Sequence, residues 1–133
     1  MLKGIVVDYA GVLTDAEASR LFAALHLARG HGMRTALLSN ADGGGLVRDR
    51  LAPWFDAMVF SGEVGLAKPD VEVYRLVARR LGLTPGECAF VDDSAGNVAG
   101  AVAAGMAGVR HVSVEQTLTE LAVLFTGVVP GIA

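Results

Sequence analysis

A short ordered set of polar residues carries the chemistry this chain can offer: Asp8, then Ser39 with Asn40, then Lys68, then Asp92 with Asp93. Asp8 closes the apolar run GIVVD, and the chain breaks at Gly11. A carboxylate presented in this way can attack an electrophile and form a covalent intermediate. Clustered carboxylate oxygens are hard ligands that hold Mg²⁺ at about 2.0–2.1 Å. A serine hydroxyl and backbone N–H groups bind phosphate oxygens, and a lysine adds a point charge. The same lysine lets acidic groups crowd without mutual repulsion. Taken singly, each residue has a plainer explanation: Asp8 a turn, Ser39-Asn40 a cap, Lys68 a solvated loop residue, one of Asp92 and Asp93 a helix N-cap. Two adjacent acids at a buried edge need a cation or several N–H donors, which makes the last pair hardest to explain that way.

The elements that must position this set alternate in type. Residues 4–7, 34–38, 57–60, 88–91 and 109–112 read as short strands, and the first is apolar throughout, as in a strand buried on both faces. Helical spacing runs over 16–29, 46–51, 70–81, 95–104 and 114–125. Asp70 caps the third of these, and Gly82 follows as its stop. TPGE at 84–87 has the spacing of a capping box. Alternation of this kind predicts an α/β fold: a doubly wound parallel sheet in three α/β/α layers. Ligands of such sheets sit beyond the carboxyl ends of the strands, where Asp8, Ser39, Asn40, Asp92, Asp93 and Ser94 all fall.

Bulk properties narrow the classes. With 133 residues, 53% hydrophobic and 19% charged, the chain can build a core and is not disordered. We expect one domain over 1–126 and a C-terminal tail over 127–133. A formal charge of −3 gives no basic field, so neither nucleic acid nor an anionic membrane is an expected partner. No apolar run approaches the ~18 residues of a membrane span, the N-terminus does not read as a signal peptide, and Cys88 stands alone. These features predict a soluble cytoplasmic protein. Cys88 reads as inert core, and His26, His31 and His111 show no metal-ligand spacing. ADGGGL at 41–46 lacks the spacing of a nucleotide loop and reads as a turn near the site. Trp54 and Phe55 are expected to pack under the third strand, with an exposed dimer patch as the alternative.

VVDYAGVLTD, LLSNA, GLAKPD and AFVDDSAGNV resemble the four successive motifs of the haloacid dehalogenase (HAD) superfamily, in order, over roughly residues 2–112. The likeness is greatest to the branch holding the haloacid dehalogenases and the N-terminal domain of soluble epoxide hydrolases. It implies a HAD-like hydrolase with Asp8 as nucleophile and Lys68 holding both phosphate and the Asp8 carboxylate. Ser39 and Asn40 would bind the phosphoryl group. Mg²⁺ would be held by Asp8, the Ala10 backbone carbonyl and Asp93, with Asp92 behind them. Gly11 would make the turn after the nucleophile, and Ser94 and Asn97 would support the metal edge.

Two departures qualify the resemblance. HAD phosphatases place an aspartate two residues after the nucleophile as general acid and base, and here that place is Ala10. Such help is worth about 10²–10⁴ in rate, roughly 3–5 kcal/mol of barrier. Dehalogenases also lack it but use no metal, whereas Asp92-Asp93 has the look of a metal pair. Secondly, about thirty residues separate Asp8 from Ser39, and about thirty more reach Lys68. That leaves no room for a cap domain, so the fold is expected to be capless, with a macromolecular substrate or a second copy as lid. The expected function is a Mg²⁺-dependent phosphatase of low activity on a phosphorylated small molecule or macromolecule. The alternative is a non-catalytic relative that binds a phosphorylated ligand or partner, and a haloacid dehalogenase ranks lower. A phosphoacceptor receiver domain uses similar residues, but chain order opposes it: the third strand ends in Ser61-Gly62, with no aspartate.

Overall fold

A computed structural model describes residues 1–126. The expected tail over 127–133 lies outside the described residues. Five strands form one sheet: β1 (Gly4–Val7), β2 (Arg34–Ser39), β3 (Ala57–Phe60), β4 (Cys88–Asp92) and β5 (Ala107–Arg110). Every pairing is parallel and the order is β3-β2-β1-β4-β5. The α-helices between and after them are α1 (Ala18–Gly30), α2 (Gly45–Leu51), α3 (Ser61–Val64), α4 (Val71–Arg80), α5 (Ala95–Ala103) and α6 (Val114–Leu124).

Strand alternation divides the core into two. Ile5, Val7, Leu37 and Val91 point toward α1 and α6, where Leu21, Leu25, Leu118 and Leu121 cover them. Val6, Leu38, Val59 and Phe90 point the other way, onto Val73, Tyr74 and Val77 of α4 and Ala101 of α5. Successive residues of a strand face opposite sides, so an unbroken apolar run needs a helix layer on each. This is the expected three-layer sandwich. Because β1 is followed outward by β2 and β3 and then, on its other side, by β4, the winding reverses between β1 and β4. Asp8 and Asp92 flank that reversal, where open α/β sheets form their ligand crevice.

Side-chain caps hold the starts of α4, α5 and α6. Asp70 Oδ1 accepts from the Glu72 N–H at 2.8 Å, Ser94 Oγ from Asn97 N–H at 3.2 Å, and Ser113 Oγ from Gln116 N–H at 3.1 Å. Thr84 N–H donates to Glu87 Oε1 at 3.0 Å, closing a 3-10 turn before β4. Two differences from the sequence reading stand out. The last strand is Ala107–Arg110 rather than 109–112, because its register is set by pairing with β4, Ala89 opposite Ala107 and Asp92 opposite Arg110. The one-turn α3 directly after β3 carries too few residues to show a helical period. Trp54 leans on Phe22 with ring centroids 4.8 Å apart, while Phe55 is buried in the core.

No inserted domain interrupts the described chain between β1 and α4. Among the described residues no helix is long and apolar enough to cross a membrane.

Two predictions concern packing. A Cβ on Gly100 would stand 2.5 Å from the Pro69 carbonyl oxygen and 3.0 Å from Tyr74 Cε2. Gly100→Ala should therefore destabilise by about 1–3 kcal/mol, although alanine is the better helix former by about 1 kcal/mol; the urea midpoint reads the sign. Burial, helped by the nearby Glu87 charge, pushes the Cys88 thiol up to about 11. Iodoacetamide at mildly alkaline pH should leave native Cys88 unlabelled and modify it once urea unfolds the chain, as read by mass spectrometry.

Candidate active site

The site is assembled around one ammonium group. Lys68 is buried, and its Nζ donates to Asp8 Oδ1 at 2.8 Å, to Asp92 Oδ2 at 2.8 Å and to the Leu38 carbonyl at 3.0 Å. An ammonium has three N–H donors, so all are used. Its backbone is fixed as firmly. Lys68 N–H donates to Asn40 Oδ1 at 2.9 Å, and Asn40 Nδ2 donates to the Lys68 carbonyl at 3.0 Å. The end of β2 thereby clamps the segment ahead of α4, where the Lys68–Pro69 peptide is cis.

Asp92, the last residue of β4, is fully buried. Besides Lys68 it accepts from Ser94 N–H at 2.9 Å on Oδ1 and from Asn97 Nδ2 at 3.2 Å on Oδ2. Tyr74 on α4 donates its hydroxyl to the Asn97 carbonyl at 2.6 Å and so fixes the start of α5. Burial is the largest influence on Asp92 and pushes it up, but the Lys68 and Ser94 hydrogen bonds together hold it below the ordinary carboxylate range. Asp8 has fewer donors: burial outweighs Lys68 and pushes its carboxyl above the usual value. The pair is thus unequal, with Asp92 the more firmly ionised.

After Asp8 the backbone turns sharply. Ala10 has φ −65° and ψ 128°, and Gly11 has φ 81° and ψ −8°, the dihedrals of a type II turn. Thr14 Oγ1 accepts from the Gly11 N–H at 2.9 Å. Gly11 answers two demands: its φ lies in the left-handed region, and a Cβ there would overlap the Asp93 carboxylate. Asp93 itself is exposed.

Together Asp8, Tyr9, Ala10, Ser39, Lys68 and Asp93 line a cavity of about 370 Å³, with Asn40, Asp92 and Asn97 also on its wall. One carboxylate oxygen each from Asp8, Asp92 and Asp93 lie within 4.8 Å of one another. Hard oxygen donors at that spacing fit a divalent cation such as Mg²⁺. Because both Asp92 oxygens already accept hydrogen bonds, Asp8 and Asp93 are the better placed direct donors.

All sequence-derived site residues therefore gather at one sheet edge, but their parts divide. Asn40 is expected beside phosphate through its N–H or its side-chain amide; the amide is engaged by the Lys68 backbone on both Oδ1 and Nδ2, which favours the backbone N–H as the group facing an anion. Ser94 caps α5 through its hydroxyl. The sequence reading missed Tyr74, whose place in the α4 core stripe hides its polar tip. It also gave His111 no part, yet His111 is buried, with Nδ1 2.7 Å from Thr117 Oγ1 and Nε2 3.0 Å from Asp15 Oδ2. These contacts tie the segment after Asp8 to the end of β5. Asp15 and His111 are 96 residues apart, a separation no local pattern bridges.

Comparison with known proteins agrees with this architecture. The chain belongs to the haloacid dehalogenase-like hydrolase family, whose model matches residues 18–105, a range that holds Ser39, Lys68, Asp92 and Asp93 and begins beyond Asp8. The crystal structure of a protein from Corynebacterium glutamicum superposes with a TM-score of 0.86 at 35% identity, covering 94% of this chain and 96% of that one. A HAD family enzyme of Bacteroides thetaiotaomicron, crystallised with magnesium and inorganic phosphate, shares the fold with a TM-score of 0.63 at 15% identity, over 83% of this chain and 94% of that one. Phosphoserine phosphatase of Thermus thermophilus is 39% identical over 96 residues, 68% of this chain but 37% of that enzyme. The chain spans 12% to 44% of the length of this and two other curated relatives.

Removing the ammonium tests what holds the site together. Lys68→Met leaves two carboxylates facing each other in a buried place, which should destabilise the fold by about 3–5 kcal/mol at neutral pH. In the variant both carboxyls would have folded-state pKa values above their unfolded ones. Their penalty is then full above the raised values and vanishes as pH falls below the unfolded ones. Urea titrations at neutral and mildly acid pH should show the deficit shrinking with acid; an equal deficit at both would contradict the electrostatic account.

Proposed function

We propose that this chain is a Mg²⁺-dependent phosphatase of low turnover that uses Asp8 as its nucleophile. The observation that carries this reading is the Lys68 ammonium bridging Asp8 and Asp92 beside the exposed Asp93. Asp8, the Ala10 carbonyl and Asp93 would hold Mg²⁺, with Asp92 supporting from behind; when bound, the ion neutralises charge on the phosphoryl oxygens. The phosphatase relative from Thermus thermophilus and the magnesium and phosphate in the Bacteroides thetaiotaomicron structure support the same assignment.

Lys68 steadies the ionised Asp8 and aims it into the cavity. One Asp8 oxygen attacks phosphorus, the bond from phosphorus to the ester oxygen breaks, and the leaving group departs with the electron pair. The Ser39 hydroxyl and the Asn40 N–H bind phosphoryl oxygens. Water then attacks the aspartyl phosphate, the bond between phosphorus and Asp8 breaks, and inorganic phosphate and a proton leave. Ala10 offers a methyl where a proton donor and base would serve both steps. Leaving groups that need no proton are therefore favoured, and hydrolysis of the aspartyl phosphate becomes the slow step.

Ala10 also favours a second reading, a HAD relative that binds a phosphorylated ligand without turnover. A haloacid dehalogenase is less well supported, since the metal-type pair Asp92 and Asp93 has no use in metal-free halide release and no inserted domain covers the site.

With Mg²⁺ present, p-nitrophenyl phosphate should be hydrolysed with a burst of p-nitrophenolate followed by a slow steady state. Asp8→Asn or a chelator should abolish both phases. Ala10→Asp should raise turnover of alkyl phosphates by about 10²–10⁴. Phosphate binding by calorimetry with no turnover that Asp8→Asn removes would favour the binding reading instead.

A further inference from the structure

A second concavity adjoins the site. It encloses about 380 Å³ and is lined by Tyr9, Phe22, Val47, Arg50 and Trp54 over a floor of Leu13 and Leu51. Tyr9, the residue after the nucleophile, lines both this groove and the cavity holding Asp8. Its size suits a small organic group. The wall is aromatic, with Phe22 and Trp54 already in contact. Its single charged residue, Arg50, is exposed and forms no ion pair among the described residues.

We infer that this groove receives the leaving group of the substrate, and that the substrate is an aryl phosphate monoester bearing an acidic substituent. The inference rests on the phosphatase reading of Asp8 and deepens it. Two independent observations converge. Aromatic rings prefer to bury against other aromatic rings in tilted or offset contact, which the Tyr9, Phe22 and Trp54 wall offers. Ala10 separately demands a leaving group that departs unprotonated. A phenol has a pKa of about 10, against about 16 for water, so a phenolate leaves without the acid that an alkoxide needs. Arg50 is the one charge at the groove and would meet a carboxylate on the ring. Ring recognition and leaving-group chemistry thus select the same class of ester. In the transfer step the aryl oxygen takes the electron pair of its bond to phosphorus and remains in the groove as phenolate until it diffuses out.

The test uses binding and turnover separately. Trp54 is the chain's only tryptophan, so its fluorescence reports on the groove directly. In Mg²⁺ buffer, three non-hydrolysable probes are titrated: methylphosphonate, benzylphosphonate and para-carboxybenzylphosphonate. Benzylphosphonate should bind about tenfold more tightly than methylphosphonate, as expected for burying a ring, and should change Trp54 emission. The carboxylated probe should gain about threefold to fivefold more, the range of an exposed ion pair, and Arg50→Gln should remove that gain relative to benzylphosphonate. Val47→Phe, which fills the groove, should cancel the preference for benzyl over methyl; circular dichroism checks that it folds. Equal binding of benzyl and methyl probes, or an Arg50→Gln effect that ignores the carboxylate, would overturn the inference. If no ester is turned over although the probes keep this ranking, the phosphatase reading fails and the groove remains an aryl site. If esters are turned over at rates set by leaving-group pKa alone and the probes do not discriminate, the groove assignment fails and the phosphatase reading stands.

Discussion

The structure depends on holding two buried carboxylates around one buried ammonium. Isolated charges of this kind cost several kcal/mol each to take out of water. Lys68 offsets that cost only because all three of its donors find acceptors, in Asp8, Asp92 and the Leu38 carbonyl. Two anions and one cation still leave the cluster net negative, before the exposed Asp93 is counted. A cation at the Asp8–Asp93 side would complete what Lys68 begins. The sheet order serves the same end: with β1 beside β4, Asp8 and Asp92 come within reach of one lysine, and a reversal of the winding opens the crevice above them.

Much of this was legible in the sequence because it rests on short-range signals. Apolar runs of three or four residues ending at Asp8, Ser39 and Asp92 mark strands and their carboxyl ends. Asp70 and the spacing of α4 mark a helix start and a buried stripe, whereas the N-cap of α5 is Ser94 rather than Asp92 or Asp93. What the sequence did not disclose are pairings across long separations. Asn40 looks like a phosphate ligand because of where it lies, yet its amide binds the Lys68 backbone 28 residues away. Tyr74 looks like core, and its ring is; only the hydroxyl reaches Asn97. His111 gives no local hint of Thr117 or Asp15. The shift of β5 has the same origin, since an edge strand takes its register from its neighbour rather than from its own apolar pattern.

Ala10 separates geometry from chemistry. The type II turn needs an unconstrained residue at its first central place and glycine at its second, and Ala10-Gly11 satisfies both. An aspartate at position 10 would meet the same backbone demand. Nothing in the turn therefore forces alanine there. The turn is shaped instead by its other neighbour: Gly11 must lack a side chain so that Asp93 can stand beside Asp8. The metal-facing half of the motif is thus built into the backbone, while the proton-transfer half is a side chain the fold neither requires nor excludes.

The absence of an inserted domain between β1 and α4 gives this chemistry a different setting from one under a lid. An enclosed site strengthens its electrostatics by expelling water. Here the outer face stays wet, with Ala10, Gly11 and Asp93 exposed, while the inner face is dry, with Lys68 and Asp92 almost wholly buried. The dry side holds the Asp8 carboxylate in one place, so in the proposed reaction little reorganisation would be left for the moment of attack. In the proposed reaction the wet side would have to supply water for hydrolysis without a side-chain base at Ala10. Under the proposed mechanism such an arrangement would favour formation of the aspartyl phosphate over its breakdown, because burial and preorganisation would act on the first step and nothing comparable on the second.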